Sequence, residues 1–370
     1  MAPASPDSHS VRVNALRGVA ALSVVVYHVL LQTRAHEALG FGLPALDGVI
    51  ARNLDRLGGW GVSIFLVLSG FGLVRSFQRS QSLRGFAARR AVRIYPMFWW
   101  IATPTILLAA LLGAMHANEV WKLPFWLCGL NFVSPRLFTP LPGVAPQWWY
   151  VGLALQVYAV FRLVWLLLRR AGLVALLVCA LVINSVSLLA IGQLPLEWQY
   201  LQMGFVGARL MEVVSGVFLF AILRGSPGRP ATTRGLSVGW ALLASSFVAL
   251  AVLQPAERVH WLFEMSVVGF VALVLWWPAP HRPRLRALRA AADWSGMVSY
   301  PLYLCHYAVI ALVLAALEWA GWLSTPLLLL LGVALSLAVA AGFSYSLPAV
   351  WKARRTPAEH AEQGVGDGHA

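Results

Sequence analysis

Residues 14–32 read NALRGVAALSVVVYHVLLQ. The run is apolar and long enough to cross a bilayer as a helix, yet it carries Arg17 and His28. At ~100° per residue, the eleven positions between them amount to about 1100°, three full turns plus ~20°. Both side chains therefore share one helix face, roughly 16 Å apart along the axis. Two polar groups aligned inside a membrane helix need a partner or a task.

The whole chain has the composition of a membrane protein. Of its 370 residues 59% are hydrophobic and 11% charged, against about 25% charged in soluble domains. Apolar runs near 20 residues recur between Arg, Pro and Gly, and they lack the alternation of a lipid-facing strand. The expected fold is all-α, a polytopic integral membrane protein of about ten transmembrane helices. They fall near 13–33, 58–77, 93–114, 147–168, 172–191, 204–223, 236–253, 260–277, 295–318 and 325–347. One domain covers 1–355, and the polar tail 356–370 reads as a disordered cytoplasmic segment.

The net charge of +14 does not point to nucleic acid, because the arginines sit in short clusters between apolar runs. Every second connection is basic: Arg75 to Arg93, Arg169 and Arg170, Arg224 to Arg234, Arg282 to Arg289, and Lys352 to Arg355. That alternation predicts both termini on the cytoplasmic side, and the polar N-terminus reads as a tail, with no cleavage site for a signal peptide. Three scattered cysteines suggest neither a disulfide framework nor a zinc site, and no metal is expected. The longest outer loop, 115–146, brings Trp121 and Trp126 ahead of Trp148 and Trp149. Those rings read first as an interfacial belt and second as a sugar-stacking surface.

Polar groups recur at comparable depth on five spans. They are His28 on the first, Ser69 on the second, Gln156 on the fourth, Arg209 with Glu212 on the sixth, and His306 on the ninth. Each ionisable group at that depth costs at least ~2.5 kcal/mol on insertion scales, and one shared internal cavity accounts for all of them. Each also has a plainer reading. A serine in an apolar helix usually bonds its own i−4 carbonyl, and the SGF run around Ser69 suits helix packing. Gln156 equally serves as glue between helices. Arg209 and Glu212, at i and i+3, equally serve to neutralise each other. Cys305, beside His306 but on another face, reads as packing. Arg89, Arg90 and Arg93 at the inner start of the third span suit anionic lipid contact or a clamp for a phosphorylated ligand. With Arg17 at the same inner face, the first helix runs from a phosphate-binding end to a histidine. Its length suits an extended donor with phosphates at one end and a reactive group at the other.

Taken in order, NALRGVAALSVVVYH, GVSIFLVLSGFGL, RRAVRIYPMFWW, WWYVGLALQVYAVF, RLMEVVSGVFLF and SYPLYLCHYAVI resemble the motifs of the acyltransferase-3 family of integral membrane acyltransferases. The resemblance spans about 13 to 347. It implies ten or so helices and transfer of a short acyl group, often acetyl, from cytosolic acyl-CoA to a hydroxyl. The acceptor it implies is a surface or lipid-linked carbohydrate, a glycolipid, or a small secreted molecule. Carried over by position, the family's key histidine falls on His28 and its motif arginine on Arg17. Its third-helix arginines fall on Arg90 and Arg93, its sixth-span pair on Arg209 and Glu212, and its late histidine on His306. Many members have Asp at the position of Asn14 and Glu at that of Gln156, which leaves Glu212 as the likelier acid or orienting group. No added hydrolase-like domain is expected.

These readings make His28, Glu212 and His306 the catalytic candidates and Arg17, Arg89, Arg90 and Arg93 the donor-binding ones. Ser69, Gln156 and Arg209 accompany them, and no bound cofactor is expected. His28 is expected to act as general base, or instead to carry the acyl group covalently. Glu212 or His306 then orients it or steadies the oxyanion. The expected setting is a bacterial inner membrane. The rival class is a proton-coupled exporter or flippase of a glycan or metabolite, which the same buried polar groups would serve. Against it stands the lack of an inverted repeat.

Overall fold

A computed structural model describes residues 6–35, 44–78, 82–138, 141, 144–224, 236–245, 260–276 and 286–347. Among these residues the structure is helical and contains no strand. The long helices are α1 (Pro6–Ala35), α2 (Pro44–Gln78), α3 (Leu83–Leu111), α4 (Trp149–Gly192) and α5 (Leu210–Arg224). They continue with α6 (Leu236–Ser245), α7 (His260–Trp276), α8 (Arg286–Ala320) and α9 (Thr325–Ser346). Among the described residues, six helical stretches are long and apolar enough to cross a membrane, and the bent pair Leu196–Gly204 and Val206–Ile222, taken as one span, adds a seventh. The chain is a multi-pass membrane protein.

The expectation of about ten spans meets this set in three ways. The 147–168 and 172–191 spans appear as one stretch, α4, interrupted at Gly172, where φ is 84° and ψ 178°. Any side chain there would meet open space, so the left-handed backbone alone accounts for glycine. The sixth span is bent by 49° at Phe205. The expected 236–253 and 260–277 spans correspond to the shorter α6 and α7, and residues 246–259 lie outside the described ones, as does the 356–370 tail.

Small residues allow α1 to sit between α2 and α8. A Cβ on Gly18 would collide with Ser295, one on Gly61 with Ser23 and the Ala20 carbonyl, and one on Gly296 with Asn14. The SGF run has the packing role expected of it. Gly70 lies against the Val213 backbone and Gly216 against the Val67 carbonyl, so α2 and α5 cross with their backbones in contact.

Among the described residues, one end of the bundle holds the start of α1, the end of α2, the start of α3 and the α4 kink. Arg12 donates to the Leu275 carbonyl at 2.5 Å, a cation on the last turn of α7. Asn14 donates to Asp293 at 3.0 Å. Phe77, near the end of α2, meets Phe86 at the start of α3 and Trp165 ahead of the α4 kink.

The segment 115–148 is not an outlying loop. Tyr95 donates to the Cys128 carbonyl at 2.9 Å and Trp99 to the Leu127 carbonyl at 3.0 Å. These contacts fall two and six residues past Arg93, about 3 to 9 Å along α3. The segment folds back beside α3 and against α4, where Gly129 faces Val151 and Leu155. Its tryptophans divide accordingly. Trp126 and Trp148 are buried and hydrogen-bonded within the fold, neither belt nor sugar platform, while Trp121 is exposed.

Candidate active site

The two histidines expected on separate spans meet. His28 of α1 and His306 of α8 have ring centroids 4.9 Å apart, and His306 Nε2 lies 3.0 Å from His28 Nδ1. Each Nδ1 also lies 3.0 Å from the carbonyl one turn back, Val24 for His28 and Leu302 for His306. These contacts select the tautomers. A ring nitrogen facing a carbonyl must carry the proton, so both neutral rings are protonated at Nδ1. The single Nδ1–H of His28 is then shared between the Val24 carbonyl and His306 Nε2, and His28 Nε2 is left with its lone pair. His306 is fully buried and His28 partly exposed. Among the described residues, no third His, Cys, Asp or Glu joins them to make a metal site.

The register of α8 that delivers His306 is fixed from outside the helix. Gln147 and Trp148 both donate to the Leu304 carbonyl, at 2.8 and 3.0 Å, and Tyr303 donates to the Gln147 carbonyl at 2.7 Å. Three hydrogen bonds therefore bind the turn before α4 to the helical turn that carries His306. Cys305 is buried, with its thiol toward the Ser336 carbonyl.

Glu212 lies elsewhere. Its Oε1 is 2.5 Å from Arg209 Nη2 and accepts from Ser63 at 3.1 Å, and Arg209 also donates to Ser63. The pair neutralises itself in the core, while Glu212 Oε2 and Arg209 Nε have no hydrogen-bond partner among the described residues. Of the two groups expected to orient His28, the geometry brings His306 to it.

Gln156 is glue. Its amide donates to the Gly204 carbonyl at 2.7 Å and accepts from the Val206 N–H at 3.2 Å, closing the backbone gap where the sixth span bends. Ser69 lies in hydrogen-bonding contact with Tyr150.

The basic end is partly preorganised. The Arg90 guanidinium lies 5.7 and 5.8 Å from the Phe86 and Tyr158 rings and donates to Ser76 at 2.5 Å, while its Nε has no hydrogen-bond partner among the described residues. Arg17 shares one electrostatic neighbourhood with Arg90, Arg93, Tyr150 and Tyr158. Arg93 is exposed and Arg89 half-buried. Because α1 is continuous from Pro6 to Ala35, the expected helical distance between Arg17 and His28 applies. Sequence reading missed Tyr150, Tyr158, Tyr303 and Gln147. The i, i+3 spacing of Tyr303 and His306 was the available signal.

Residues 10–345 match the family described as an acyltransferase domain, Acyl_transf_3. The chain belongs to the acyltransferase-3 family. Over 317 residues it is 24% identical to Acyltransferase MdmB of Streptomyces mycarofaciens, a match spanning 80% of this chain and 77% of that protein. A second similarity, 37% over 111 residues, is to Regulator of hypoxia-inducible factor 1 of Caenorhabditis elegans and covers 27% of this chain and 22% of that one. No solved structure matches. The acyltransferase-3 chain is thus a membrane O-acyltransferase.

Proposed function

We propose that this acyltransferase moves a short acyl group, acetyl in the first instance, from cytosolic acyl-CoA to a hydroxyl of a surface or lipid-linked carbohydrate or a small secreted molecule. The setting proposed is a bacterial inner membrane crossed about ten times, with both termini and the arginine-rich end in the cytoplasm. The observation that carries this reading is the His28–His306 contact, about three helical turns along α1 from Arg17.

In this mechanism His28 Nε2 removes the proton from the acceptor hydroxyl as its oxygen attacks the thioester carbonyl carbon. The imidazolium that forms keeps its Nδ1–H on His306 Nε2, so the buried neutral ring disperses part of the new charge. Collapse of the tetrahedral intermediate breaks the C–S bond, and the thiolate leaves with the proton held at His28 Nε2. His306 is a positioning residue. Arg17, Arg90 and Arg93 would hold the donor's phosphates, with Arg89 at the rim.

Membranes bearing the protein, given acetyl-CoA and a hydroxyl acceptor, are expected to release free CoA, whereas His28→Ala membranes are not. Movement of unmodified substrate without CoA release would replace this reading with an exporter. Acid-labile label retained on the wild type without acceptor, and lost in His28→Gln, would instead make the histidine an acyl carrier.

A further inference from the structure

Between the arginines and the histidine pair stand three phenols, Tyr158 and Tyr150 on α4 and Tyr303 on α8. Tyr158 stands against Arg90. Tyr150, eight residues earlier on α4 and about 12 Å back along its axis, lies in the neighbourhood of both Tyr158 and Arg17. Its ring centroid is 5.3 Å from that of Tyr303, which is 5.9 Å from His306. The phenols thus lead from the neighbourhood of Arg90 and Arg17 to that of His306.

The polar atoms beside this series are unevenly occupied. Tyr303 is spent on the Gln147 carbonyl and Tyr150 is held by Ser69. Near Tyr150, however, Arg209 Nε and Glu212 Oε2 have no hydrogen-bond partner among the described residues, although both residues are buried. One is a donor and the other an acceptor. A buried donor and acceptor without partners each cost about 1 to 3 kcal/mol, a cost that a ligand carrying the opposite pair would remove. A secondary amide, with its carbonyl and its N–H, is such a ligand. The walls are aromatic, which suits a thin, neutral, extended chain.

We propose that Tyr158, Tyr150 and Tyr303 line the passage for the donor's amide-bearing arm, and that the Ser69–Tyr150 pair beside Arg209 and Glu212 recognises an amide of that arm. The inference rests on the acyl-CoA reading and deepens it. Recognition of the nucleotide end and of the arm become separable, with Arg90 serving the first and Tyr150 the second.

Two donors separate them: acetyl-CoA and S-acetyl-pantetheine, which keeps the amides and lacks the phosphates. Tyr150→Phe and Ser69→Ala are each expected to raise KM for both donors by about five- to tenfold, the worth of one hydrogen bond, with kcat within about twofold. Arg90→Lys is expected to raise KM for acetyl-CoA alone. Wild-type KM values for both donors in Tyr150→Phe and Ser69→Ala overturn the passage while leaving the acyl-CoA reading in place. A fall in kcat without a KM change overturns it too, because the residues would then act on chemistry. Failure of the wild-type protein to release thiol from either donor overturns the acyl-CoA reading, and the passage with it.

Discussion

His306 has no exposure, yet its Nε2 lies against the protonated nitrogen of His28, where it supports the imidazolium rather than choosing the tautomer. Without it, the Val24 carbonyl still holds the Nδ1–H of His28, so the tautomer survives and only the support for the imidazolium is lost. His306→Ala is therefore expected to lower kcat by about 10- to 100-fold, less than the 10² to 10⁴ that general-base catalysis contributes and that His28→Ala forfeits. His306→Gln places an amide oxygen near the position of Nε2 and is expected to recover part of the loss, with donor KM unchanged in both variants. Steady-state kinetics on purified protein check this. Equal losses in His306→Ala and His306→Gln would reduce His306 to a packing residue. At this same scale Asn14 accounts for its departure from the family's Asp. It donates to Asp293, where a carboxylate would face another carboxylate.

The element most exposed to substitution is the bend at Phe205, which depends on one side chain from another helix. Gln156 supplies both a donor and an acceptor, and an ionised Glu supplies only acceptors. Gln156→Glu is expected to place a carboxylate oxygen against the Gly204 carbonyl and destabilise the protein by about 1 to 3 kcal/mol, without raising activity. Thermal unfolding in detergent measures it, and a Tm at or above the wild-type value would contradict the bridging role. Elements of this kind also show what the sequence could and could not reveal. Helices α1, α3, α8 and α9 were legible because apolar length alone sets them, and Arg17 and His28 shared a face by helical period. The bend at Phe205 was hidden because no proline or steric signal marks it, and its stabiliser lies some fifty residues earlier. The inward fold of 115–148 was hidden for a related reason. Pro-rich, Trp-bearing sequence looks like an interfacial loop until Tyr95, Trp99 and Leu304 supply its hydrogen-bond partners. The meeting of His28 with His306 is a contact between distant helices, for which matching depth was a hint and not a geometry.

At the scale of the whole molecule, the basic end of the bundle decides which compartment supplies the donor. The contacts of Arg12 with α7, Asn14 with α8 and Phe77 with Trp165 put the start of α1, the end of α2 and the α4 kink at that end. Residue 116, after the far end of α3, belongs to the other. In the proposed topology the positive-inside rule makes the basic end cytoplasmic, where it meets acyl-CoA directly. In a background with Cys128, Cys179 and Cys305 replaced, Arg170→Cys is expected to react with a membrane-impermeant maleimide only in inside-out vesicles. His116→Cys is expected to react only in right-side-out ones. The same preparations carry the functional consequence, since acetyl-CoA added outside sealed right-side-out vesicles should release no CoA until the membrane is opened. Labelling of Arg170→Cys from outside would turn the bundle over. The arginines would then face a compartment without acyl-CoA, and the donor would have to be a different phosphorylated thioester or none at all.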